Sequence, residues 1–167
     1  MKAEKAPITA REAVQRKFNS ARSNLLLMII LTLVNVILYF VGTDSMLLFS
    51  ATIPYLAALF GHWLAPSDIA VMCYMLAGFL IALYLLCWLL SKKRYVWLII
   101  ALVLFAVDTV VMVYFNIRFG DYSEILDVLI HTWVLYYLVI GVISGVKLKK
   151  LPPEEPVQPQ EWPNMEK

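Results

Sequence analysis

Four stretches of this chain are apolar, free of Lys and Arg, and long: residues 25–41, 69–90, 95–115 and 125–146. An α-helix rises about 1.5 Å per residue, so roughly 20 residues cross a hydrocarbon core of about 30 Å. Backbone N–H and C=O groups in that core must be satisfied within the segment, which makes each stretch a helix. Composition agrees: of 167 residues, 62% are hydrophobic and 16% charged, with a mean hydropathy of +0.76. A soluble domain is about half apolar and about a quarter charged. A chain this short buries only roughly two-thirds of its unfolded surface, too little to hide the excess. An ordinary soluble enzyme, a disordered chain and a disulfide-stapled secreted module are excluded. The expected fold is all-α: a polytopic membrane protein with a four-helix transmembrane bundle.

The first stretch follows a basic lead, as a signal peptide would. Signal h-regions run about 7–15 residues and end at a small-x-small site. Gly42-Thr43-Asp44-Ser45 supplies no convincing site, so 25–41 is expected to remain as a span.

A fifth apolar run, 46–64, carries Ser50, Thr52, Pro54, Gly61 and His62. Its length allows a crossing, but the charges argue otherwise. Lys and Arg collect on cytoplasmic flanks. They cluster before the first span (Arg11, Arg16, Lys17, Arg22), between the second and third (Lys92, Lys93, Arg94) and after the fourth (Lys147, Lys149, Lys150). Between Gly42 and Asp68 there is none. Four crossings put all three clusters on one side; a fifth would separate the first from the others. Both termini are therefore expected in the cytoplasm of a bacterial-type plasma membrane. The 46–64 segment is expected to be an interfacial or re-entrant helix on the outer side, broken or started at Pro54.

The parts outside the membrane have their own character. In the lead, 1–24, Thr9-Ala-Arg-Glu12 reads as a capping box. Ala10, Val14, Phe18, Ala21 and Leu25 share a helical face that Arg11, Arg16 and Arg22 avoid. This basic amphipathic segment suits anionic lipid headgroups. The tail, 147–167, turns proline- and glutamate-rich from Leu151 and is expected to be extended. A net charge of +2 gives no reason to expect a nucleic-acid partner.

Few residues carry chemistry. Cys73 and Cys87 lie fourteen positions apart in one run, about 21 Å along a helix. That is far beyond disulfide reach. No CxxC, HExxH, GxSxG, Walker or GxGxxG pattern occurs, and no cofactor is expected. Ionisable groups inside a span cost about 2.5–3.5 kcal/mol by insertion scales, so each needs a partner or a function. Asn35, Asp108 and His131 all fall roughly 9–10 Å from the outer ends of their spans, at 1.5 Å per residue. Asp127 lies one turn outside His131. A hydrogen-bonded cluster of Asn35, Asp108 and His131, with Asp127 at its mouth, is expected. It could fix the bundle, bind a proton or cation, or, with His62, ligate a metal.

Asp127, His131, Val134, Leu138, Gly141 and Gly145 mark the inward face of the fourth span. Gly141-x-x-x-Gly145 and Gly78-x-x-x-Ala82 are candidate helix-packing surfaces. Trp133, Tyr136 and Tyr137 are expected to turn their polar atoms toward other helices. The leading functional expectation is a non-enzymatic accessory subunit whose partner is another membrane protein or a second copy. The alternatives are a small oligomeric transporter or channel with a proton or cation site at Asp108 and His131, and an intramembrane enzyme or metal-binding protein.

Overall fold

All four apolar runs are helices in a computed structural model of the chain, which describes residues 9–42, 50–119 and 125–152. In order, the helices are α1 (Ala10–Phe40), α2 (Thr52–Trp63), α3 (Asp68–Ser91), α4 (Val96–Phe119) and α5 (Ile125–Lys150). There is no strand among the described residues. Helices α1, α3, α4 and α5 are long and apolar enough to span a membrane. The chain is a multi-pass integral membrane protein.

Their ends follow local chemistry. Thr9 caps α1 in a full capping box: its side chain accepts from Glu12 N–H, and Glu12 accepts from Thr9 N–H. Ser67 caps α3, accepting from Ala70 N–H. Gly42 follows α1 with φ at 78°, a left-handed conformation that glycine takes without steric cost. Gly120 and the Asp121-x-x-Glu124 pair lie outside the described residues, as does the tail from residue 153.

The lead and first span form one unbroken helix of 31 residues. Phe18, Ala21 and Leu25 are buried, Val14 is half-buried and Ala10 is exposed. α1 packs mainly on α5, and α3 and α4 complete the bundle. Leu25, Leu98, Phe105 and Leu138 are fully buried at the centre. The six residues expected on the inward face of α5 are all buried, and Ser144 joins them.

Glycine sets the α1–α5 approach. A Cβ on Gly141 would collide with the Ala21 Cβ and lie 2.7 Å from Leu98 Cδ2. One on Gly145 would collide with the Tyr95 Cβ. Gly78 and Ala82 behave differently. Both are exposed, and a Cβ on Gly78 meets nothing within 4 Å. Packing within this chain therefore uses the glycine pair of α5 and leaves that of α3 facing outward.

One expectation is corrected. Trp133 and Tyr136 are 49% and 60% exposed, and Tyr137 is half-buried. Trp133 and Tyr136 stand two positions after buried His131 and Val134, about 200° around the helix, which turns them away from the bundle. Their rings pack on Tyr137, each with a centroid separation of 5.7 Å.

The three basic clusters meet at one end. Arg22 donates to Ser91 Oγ and to the Trp88 carbonyl, and Arg11 donates to the carbonyls of Leu151 and Pro152. This end is the basic face of the bundle. Arg22 is withdrawn from the surface, half-buried, with its guanidinium 5.7 Å from the Trp88 ring centre. Arg16 and Lys17 stay exposed.

Candidate functional site

The described part of the segment between the first two spans, from Ser50, starts inside the bundle. Ser50 and Ala51 are almost fully buried there. Asn35 Nδ2 donates to Ser50 Oγ at 2.7 Å. Ala51 N–H donates to Thr32 Oγ1 at 2.7 Å. Thr32 lies eight residues before the end of α1, about 12 Å along the helix. From that depth α2 climbs back toward the face opposite the basic one. Ala57 and Ala58 pack near Ala77 of α3 and Val36 of α1. His62, at the far end, is exposed and meets the edge of Tyr39 with ring centres 5.6 Å apart.

A helix that starts inside a bilayer has a difficulty at its first turn. Its first four backbone N–H groups lack partners within the helix, and hydrocarbon supplies none. Here each of those four positions is provided for. Ala51 N–H is taken by Thr32. Thr52 N–H donates to Asp108 Oδ2 at 2.8 Å, and Ile53 N–H to Asp108 Oδ1 at 2.7 Å. The fourth position is Pro54, which has no N–H. The N-terminal residue Ala51 has no side chain that could cap, so the cap comes from α4. The positive end of the α2 dipole also favours a carboxylate there.

Behind Asp108 stands His131, fully buried. Its ring stacks on Phe105, with centroids 5.0 Å apart and planes 7° from parallel. Nδ1 lies 3.0 Å from the Asp127 carbonyl oxygen, where an Nδ1–H donates to it. Nε2 faces Asp108 Oδ2 at 3.5 Å, and Nδ1 faces Asp127 Oδ1 at 3.5 Å. Both are ion-pair separations, too long for good hydrogen bonds. Thr52 Oγ1, Asp127 Oδ1 and His131 Nε2 are buried with no hydrogen-bond partner among the described residues.

The four residues expected to cluster are therefore buried around the foot of α2. They are joined through that helix rather than directly. Asn35 reaches the chain just before it, Asp108 holds its backbone, and His131 sits between Asp108 and Asp127. The two carboxylates approach opposite edges of the imidazole and do not converge on a point. His62 stands at the other end of a 12-residue helix. Among the described residues, no group of three or more His, Cys, Asp or Glu is placed to hold a metal ion. Sequence reasoning missed Thr32 and the role of Ser50. The available signal was Pro54 two residues after Thr52, at the head of a helix with no capping side chain of its own.

Comparisons with family models, curated proteins and solved structures find no match for this chain. Fold and site together define its class: a small four-span helical membrane protein with a short fifth helix that starts inside the bundle.

Proposed function

We propose that this protein is a non-enzymatic accessory or interaction subunit of a bacterial-type plasma membrane, with both termini in the cytoplasm. The observation that carries this reading is the commitment of Asp108. Both of its carboxylate oxygens are engaged by the backbone of α2, so the most chemically capable group in the bundle serves its architecture. The exposed surface supports the same reading. Gly78, Ala82, Trp133 and Tyr136 all face outward, in positions where a neighbouring membrane helix can pack. Orientation rests on the gathering of the basic clusters at one face, since Lys and Arg flanks stay cytoplasmic. The test is purification of the full chain from gently solubilised native membranes after brief cross-linking. A stoichiometric partner, either another membrane protein or a second copy, is expected. Recovery only as a free monomer would overturn the proposal.

A second reading, a proton or cation site in an oligomer, is favoured by one observation. His131 Nε2 and Asp127 Oδ1 are buried and lack hydrogen-bond partners among the described residues. Buried Asp and His groups of this kind mark proton pathways in many membrane proteins. On this reading Asp127→Asn abolishes a proton-coupled flux in proteoliposomes while leaving the unfolding midpoint in detergent unchanged. Absence of flux in the wild-type protein would end it.

A further inference from the structure

A second concentration of chemistry lies at the basic face, away from the buried cluster. The first turns of α1, the link between α3 and α4, and the last turns of α5 enclose a cleft of about 630 Å³. Its lining includes Arg11, Lys92, Lys93, Arg94 and Lys149 and, among the described residues, no carboxylate. None of these five cations is ion-paired among the described residues. Glu12, next to Arg11, has its carboxylate turned to Thr9 N–H. The Arg11 guanidinium is fixed at the cleft by the Leu151 and Pro152 carbonyls, at 3.0 and 2.7 Å. Five like charges brought together by three separate segments repel one another, and an anion between them relieves that repulsion.

The cleft is not purely polar. Phe18, Tyr95 and Leu148 line it as well, and Phe18 is buried. Tyr95 and Trp97 stand beside it in sequence, at the start of a span, where aromatic side chains mark headgroup level. We propose that this cleft binds the headgroup of an anionic phospholipid. The cations meet the phosphate, and the apolar residues meet the first carbons of the lipid. A free phosphate would use the same cations but leave the apolar lining uncovered. The volume also falls in the range of about 300–1,000 Å³ that houses whole small ligands. Basic pockets between transmembrane helices are a known setting for such headgroups. This inference is independent of what the buried cluster does.

The test uses the full chain in detergent, titrated with phosphatidylglycerol or phosphatidylcholine and read by native mass spectrometry. Selective retention of phosphatidylglycerol is expected. Lys92→Gln with Lys93→Gln should weaken it at least tenfold. Lys147→Gln with Lys150→Gln removes the same charge outside the cleft and should change it less than twofold. Unfolding midpoints of both variants should match wild type. Equal loss in the two double variants would reduce the effect to net charge and overturn the site. So would equal retention of the two lipids. Displacement of bound lipid by millimolar inorganic phosphate would identify a free-phosphate site instead.

Discussion

Replacing Asp108 by alanine is expected to destabilise the protein more than any other single truncation of a polar side chain. Two backbone donors, Thr52 N–H and Ile53 N–H, lose their acceptor at a depth without solvent. A buried group left unpaired costs about 1–3 kcal/mol, so the pair costs roughly 2–6 kcal/mol. Whole domains are stable by only about 5–15 kcal/mol. Asp108→Asn keeps one acceptor oxygen and places an NH₂ against the other donor, so an intermediate loss is expected. The reading is local as well as global. Hydrogen exchange at Thr52 and Ile53 should accelerate sharply, with the centres of α3 and α5 much less affected. An Asp108→Ala protein with wild-type exchange at those two amides would show that α2 is anchored in another way.

The second large effect belongs to Gly141. In Gly141→Leu the new Cβ collides with the Ala21 Cβ, which has no rotamer to escape into, and crowds Leu98. Overpacking of a tight core typically costs about 1–3 kcal/mol. The upper end or beyond is expected here, because α1 must move away from α5 as a unit. Gly78→Leu is the matched comparison, since its Cβ meets nothing within 4 Å. Its monomer in detergent should unfold within about 0.5 kcal/mol of wild type, as surface substitutions usually do. The thermal unfolding midpoint in detergent reads both. Equal effects at the two glycines would mean that α1 and α5 do not approach as closely as described.

What could be read from the sequence followed from what a bilayer demands of it. Uninterrupted hydropathy marked the four spans. The basic clusters placed their junctions on one side, and α1, the α3–α4 link and α5 do meet there. The inward face of α5 was visible because its polar and small residues, from Asp127 to Gly145, share one helical phase. The site was legible only by its members. Depth counting brought Asn35, Asp108 and His131 to one level, but it compares side chains. The group that Asp108 serves is backbone, and a sequence does not display which N–H groups a fold leaves over. Thr32 escaped notice for a related reason: a threonine in a span ordinarily bonds its own helix, as Thr32 also does to the Met28 carbonyl. Trp133 and Tyr136 went astray because polar atoms suggested burial, while the phase of the helix pointed them outward.

The attachment of α2 to α4 also has a consequence in time. The acceptor for Thr52 N–H lies 56 residues further along the chain. Chains are synthesised at about 5–20 residues per second, so Asp108 emerges roughly 3–11 seconds after Thr52. During that interval Thr32 can already take Ala51 N–H, but the acceptor for Thr52 and Ile53 N–H is not yet in place. The cap on Thr52 and Ile53 is complete only once α4 has joined α1. The hydrogen bonds thus place the anchoring of the foot of α2 after the synthesis of α4.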